Sequence, residues 1–380
     1  MPLLLIIYLA FISLGLPDGV LGSIWPVMRQ DLGLPLYSAG FIGAVVSVGT
    51  VVSALNSYRL IYRYGTGKVT LVSVFLTALA LLGFSFAPNL PVLLLWAVPL
   101  GLGAGSVDAA LNNYVALHYQ ARHMNWLHSF WGLGASTGPL VMGMVLSLQY
   151  SYRFGYRLLG GFQLILVVVL LLSIRRWEAP HKPDLVGHAS EPEQEPVKQS
   201  ALALAMLGFF LYCALEVSTG LWAVSYLVEV KALDATEAAF YGSLFFLGIT
   251  SGRMLSGFVS FRLSNTALIK GGLLVCLVGI MLLFFSSLQT SGFSLLLLGL
   301  GCAPVFPSMI HETPRRFGVE QSQRIIGLEM AAAYVGSTVT PPLFGLLALV
   351  LGLAWMPALQ VFILFLLFLS IQLIKRFLNT

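Results

Sequence analysis

Residues 175–199 read RRWEAPHKPDLVGHASEPEQEPVKQ, and this stretch decides how the chain divides. It holds four prolines, both signs of charge and few apolar side chains. Such a composition cannot bury itself and reads as a flexible connector. The chain on either side is its opposite. Of 380 residues, 58% are hydrophobic and 9% are charged, against about 25% charged in a soluble domain. Mean hydropathy is +0.90. A chain this apolar cannot cover a water-facing surface, so its solvent is lipid.

A helix needs about 20 apolar residues to cross the hydrocarbon. Polar breaks leave twelve such windows: 3–27, 38–61, 69–87, 91–117, 125–148 and 155–174 before the connector, then 201–228, 238–261, 266–288, 292–311, 324–349 and 353–374 after it. They lack alternation and are too long for barrel strands. The expected fold is an all-α membrane protein of twelve transmembrane helices. It divides into an N-terminal six-helix bundle at 1–174, a cytoplasmic linker at 175–199 and a C-terminal six-helix bundle at 200–380. The run from Leu3 to Phe11 lacks a basic flank and a small-residue cleavage site, so it reads as the first span and not as a signal peptide.

The halves resemble each other. Asp18 with Gly22, Gly49 with Arg63, Gly101, and Pro139 with Gly143 reappear as Glu216 with Gly220, Gly248 with Arg262, Gly301, and Pro341 with Gly345, always 198 to 202 residues further on. A duplicated six-helix unit is characteristic of secondary transporters, with the substrate site between the repeats. Charge sets the orientation. With both termini inside, cytoplasmic segments hold 15 of the Lys and Arg residues, whereas outer loops hold Arg29, Arg153, Arg157 and Lys231. That asymmetry places the linker in the cytoplasm, and the expected location is the inner or plasma membrane. The net charge of +5 is therefore topology and not a nucleic-acid footprint.

Tyr62-Arg63-Tyr64-Gly65-Thr66-Gly67-Lys68 resembles the loop signature of the major facilitator superfamily, although Tyr62 and Tyr58 replace its acidic residue and leading glycine. Gly257-Phe-Val-Ser-Phe261-Arg262 is its counterpart in the second half, and Arg253 fits the superfamily's pattern in span 8. Three further stretches are similar to the fucose permease branch of proton-coupled sugar symporters: Gly101-Leu-Gly-Ala-Gly-Ser-Val-Asp108-Ala-Ala-Leu-Asn112-Asn113, Gly15-Leu-Pro-Asp18-Gly-Val-Leu-Gly22, and Leu127-His128-Ser-Phe-Trp-Gly-Leu-Gly-Ala135. The resemblance implies alternating access by two rocking halves. Arg63, Lys68, Arg253 and Arg262 would close or pair at the cytoplasmic gate.

A carboxylate at a helix centre costs about 2.5–3.5 kcal/mol on insertion scales. It must face a cavity, find a partner or take up a proton. Asp108, with Asn112 one turn away, reads as a proton acceptor and sugar ligand, or else as a purely structural interhelical bond. Asp18 is a second coupling and binding carboxylate, or a cap on a helix restarted after Pro17. Glu216 and Trp222 read as substrate contacts, the indole supplying a flat face for a sugar ring; a hydrogen bond between the halves is the alternative for Glu216. His128 would relay protons and contact substrate, or bond a backbone carbonyl. Trp131 reads as packing. Glu312 and Glu329 read as partners of Arg315, Arg316 or Arg324.

Nucleotide-driven and enzymatic classes find no support, while a transporter-derived receptor that binds without translocating stays open. The Gly101-Leu-Gly-Ala-Gly105 run follows no strand, so it is not a nucleotide loop, and no Walker, metalloprotease or nucleophile-elbow motif appears. Cys213, Cys276 and Cys302 lie in apolar runs, with neither metal-site nor disulfide spacing. The expectation is a monomeric transporter, not an enzyme, without cofactor or metal. It moves a small polar solute, a monosaccharide, together with a proton. A proton-driven exporter of hydrophobic compounds on the same fold is the alternative.

Overall fold

The computed structural model describes residues 3–119, 121–177, 198–260, 262–285 and 290–378. The middle of the linker, 178–197, lies outside the described residues. Helices α1 (Leu3–Gly15) and α2 (Val20–Asp31) form the first span, and α3 (Ser38–Tyr64), α4 (Thr66–Phe86), α5 (Leu90–His118), α6 (Ala121–Ser147) and α7 (Tyr152–Ser173) complete the first half. After the linker come α8 (Gln199–Glu229), α9 (Ala235–Val259), α10 (Asn265–Phe285), a span divided into α11 (Ser291–Cys302) and α12 (Val305–Phe317), then α13 (Val319–Leu351) and α14 (Met356–Leu378).

These are the twelve expected spans. Eleven are apolar along at least 18 residues. The remaining one, α9, is 25 residues long but carries Arg253, Glu237 and several hydroxyls. Outward-facing apolar side chains stay bare, as lipid requires: Leu172 is 79% exposed and Val350 is 83% exposed.

The packing repeats as the sequence does. In the first half α3 and α4 both pack on α5, α4 on α7 and α1 on α6; in the second α9 and α10 both pack on α11, α10 on α14 and α13 on α8. The halves meet along two equivalent seams, α6 with α9 and α3 with α13, and along the axis where α2 touches α8 and α9. Small residues permit the axial contact. A side chain at Gly22 would run into the Gly220 carbonyl, and one at Gly40 into the backbone of Pro341 and Pro342. The two glycines that follow the repeated carboxylates therefore pack on each other. Arg29 of α2 forms an ion pair with Glu229 of α8 beyond them. The halves are thus closed at the end farthest from the linker.

Candidate functional site

Pro17 has no amide hydrogen, so the helical ladder cannot pass through it. The chain bridges the break with three-residue turns: the Asp18 amide donates to the Gly15 carbonyl and the Val20 amide to the Pro17 carbonyl, each at 3.1 Å. Asp18 thus sits at an interrupted helix. Its side chain caps nothing, since α2 restarts after Gly19 with no side-chain cap. Instead the Trp131 indole N–H, from α6, donates to Asp18 Oδ2 at 2.7 Å. The Arg253 guanidinium, from α9 in the other half, lies 4.9 Å above the Trp131 ring. Arg253 Nη2 is also 3.5 Å from Glu216 Oε1 on α8. Asp18, Trp131, Arg253 and Glu216 therefore form one continuous chain of contacts from one half to the other.

Asp108 lies beside this chain on α5. Asn112, one turn later and on the same face, donates from Nδ2 to Asp108 Oδ1 at 2.9 Å. The other Asn112 atom, Oδ1, is buried and has no hydrogen-bond partner among the described residues. Asp18 is within electrostatic reach of both Asp108 and Glu216, and Asp108 of Tyr334 on α13. Both repeats therefore bring carboxylates to the axis. Their partners differ in kind. Glu216 has a guanidinium, whereas Asp18 and Asp108 have only neutral donors among the described residues.

The surroundings make this a cleft. Asp18 is exposed although protein encircles it, which is the signature of a cavity wall. His128, also exposed, lies one turn towards the linker end of α6, where its ring meets Phe11 edge-on at 5.8 Å. The opposite end is closed by Gly22, Gly40 and the Arg29–Glu229 pair. A separate cavity of about 560 Å³ lies on the flank of the first half, between α3 and α4 over α5. It exists because α3 and α4 pack on α5 and little on each other. It touches none of the three carboxylates.

The structure brings together Asp18, Asp108, Asn112, Glu216 and Arg253, with His128 close by. It does not bring Trp222 to the cleft. That indole is fully buried, donates to the Pro341 carbonyl at 3.1 Å and stacks on Phe344 at 6.3 Å. Its packing against Gly345 makes it part of the closed end in this conformation. Arg253, expected near the gate, sits in the central chain. Arg63 and Arg262 are exposed, with Arg63 over the Tyr64 ring at 5.4 Å, and Lys68 lines the flank cavity; no ion pair involves these three among the described residues. Glu312 takes its expected role, 3.4 Å from Arg315 and 3.9 Å from Arg316. Glu329 accepts a 2.8 Å bond from Thr313. Trp131 was missed as a polar participant. The signal was its phase, since three residues place it on the face of His128.

Twelve spans in two repeated halves around a charged cleft define a solute carrier, a transport protein and not an enzyme. The chain belongs to the Major Facilitator Superfamily, whose model matches residues 7–311. It is 24% identical over 395 residues to Bypass of stop codon protein 6 of Saccharomyces cerevisiae, covering 92% of this chain and 77% of that one. It is 27% identical over 275 residues to the 4-hydroxybenzoate transporter PcaK of Pseudomonas aeruginosa, covering 62% of this chain and 60% of that one. The glucose/mannose transporter GlcP of Bacillus subtilis is 24% identical over 312 residues, covering 79% and 77%. In fold the chain is similar to a bacterial homolog of the human lysosomal transporter Spinster, with a TM-score of 0.74, 14% identity and coverage of 99% and 94%.

Proposed function

We propose that this protein is a secondary active transporter that carries a small polar solute, a monosaccharide, with a proton by symport through alternating access. One observation carries the proposal: Asp18 and Asp108, which have no cationic partner among the described residues, lie together at the axis between the repeated halves. A carboxylate held at membrane depth among protein groups is stabilised by a cation or by a proton. Here the proton is the available neutraliser, so Asp18 and Asp108 are the proton-coupling groups. Asn112, His128 and Glu216 offer donors and acceptors to sugar hydroxyls. The similarity to a glucose/mannose transporter supports this cargo, and the motif resemblance supports the fucose permease branch. The loop charges support a cytoplasmic linker in the inner or plasma membrane, which makes this conformation inward-open. Arg63, Lys68 and Arg262 then belong to an inner gate that closes when the halves rock, and Arg253 keeps α8 and α9 together during the movement. The two bundles on either side of the linker act as the rocking bodies, and one chain suffices.

The test uses purified protein in liposomes with an internal pH dye and no imposed gradient. Monosaccharides are added one at a time, then hydrophobic cations. Internal acidification on adding a sugar is the expected result. Alkalinisation with cations and silence with sugars would replace the proposal with export of hydrophobic compounds.

A further inference from the structure

We propose that Trp131 is a positioning residue that ties the charge on Asp18 to the contact between the two halves. This rests on the transport function proposed above. The indole has two ends at work. Its N–H donates to Asp18 Oδ2 at 2.7 Å within the first half. Its ring face holds Arg253 of the second half at 4.9 Å. A hydrogen bond to an ionised acceptor is about twice as strong as a neutral one, and linked polar contacts polarise one another. Donation to an anion enriches the ring in electron density, which strengthens its hold on a cation. The α6–α9 contact is therefore tightest when Asp18 is charged. A proton on Asp18 weakens the N–H bond, then the ring's grip on Arg253, and frees α9 to move against α6. Linkage makes the effect reciprocal: loss of the indole N–H makes Asp18 easier to protonate.

The other charged groups facing this chain are Asp108 on α5 and Glu216 on α8, with His128 on α6 within electrostatic reach of Arg253. Arg29, Asp31, Arg153 and Glu229 lie at the far end of the first span, about three helical turns from Asp18. Neither Trp131 nor Arg253 has a counterpart in the opposite half, where Ala333 and Ala54 stand at the repeat positions. The device thus belongs to one seam and gives it a proton sensitivity that the α3–α13 seam lacks.

The experiment measures the distance between spin labels at Leu55 and Leu263, exposed on different halves, as a function of pH in nanodiscs. Trp131→Phe keeps the ring under Arg253 and deletes the donor. The expected result is a pH-dependent distance change of reduced amplitude, its midpoint moved to higher pH by about one unit, the shift that loss of one charge-assisted hydrogen bond produces. Asp18→Asn removes the titration, and adding Trp131→Phe to it should change nothing further. An undiminished distance change or an unmoved midpoint in Trp131→Phe, or an equal effect of Trp131→Phe with Asn at position 18, would overturn the proposal. The distance readout needs no solute. A moved midpoint together with absent sugar-driven acidification would leave the relay standing and remove the sugar symport.

Discussion

Gly22→Ala bears directly on which conformation the carrier prefers. A Cβ at this position would fall against the Gly220 carbonyl and the backbone of Leu221, all of them across the seam between the halves. The atoms in the way are backbone, so no rotamer change relieves the overlap. Overpacking of this kind costs typically about 1–3 kcal/mol. Separation of α2 from α8 relieves it, and that separation is the opening of the far end. The closed-end conformation should therefore lose population by about 5- to 150-fold relative to the open-end one. The helix preference of Ala over Gly, about 1 kcal/mol, acts in both conformations and does not alter their balance. Spin labels at Gln30 and Val230, on the ends of α2 and α8, would report the change as a longer distance. Gly161→Ala is the control, because nothing lies within 4 Å of a Cβ there. An unchanged distance distribution in Gly22→Ala, in a protein whose thermal stability is retained, would refute the assignment of the axial contact as a gate.

Trp222→Ala should lower thermal stability by about 3–5 kcal/mol, the cost of a large buried aromatic, while leaving solute affinity at the linker-side cleft little changed. A loss of affinity without loss of stability would return Trp222 to the binding site. Asp18→Asn and Asp108→Asn should each abolish accumulation driven by a pH gradient while exchange of solute persists, whereas Glu216→Gln should keep its pH dependence; uptake and counterflow in liposomes separate the two. Asp234 caps α9 by accepting from the Thr236 amide at 2.8 Å, and that contact holds its carboxyl below the usual range. Its contribution is present at neutral pH and lost as pH falls through the lowered value. Asp234→Ala should cost about 1 kcal/mol at neutral pH and less in acid, read by thermal unfolding at two pH values.

The spans were legible because hydropathy is a one-dimensional property. The break at Pro17 was legible because proline acts on its own backbone, and Asp108 with Asn112 because four residues return to the same helix face. Trp222 misled for the same geometric reason. Six residues at about 100° each carry it about 120° away from the direction of Glu216, into the packing with Phe344. Gly220, four residues on, does share that direction and meets Gly22 across the axis. The bond between Asp18 and Trp131 joins residues 113 apart in sequence. No local pattern encodes such a contact, because it is set by how α1 and α6 pack. The role of Arg253 was half legible: its depth demanded a partner, but the partner's identity depended on the mutual placement of α8 and α9.

The repeat gives Asp18 and Glu216 equivalent positions, yet the two cannot do the same work. Glu216 shares its space with Arg253, and a paired charge gains nothing from a proton unless the guanidinium is carried elsewhere. Asp18 has an indole N–H, which stabilises an anion without cancelling its charge. The pair Asp108 and Asn112 follows the same logic, with an amide in place of an indole. Two neutral-donor carboxylates in the first half and one ion-paired carboxylate in the second divide the labour of the cleft. Under the proposed symport, the first half supplies the groups that take up a proton, and the second supplies the Glu216–Arg253 pair beside them. Trp131 lies between them, touching one group of each kind.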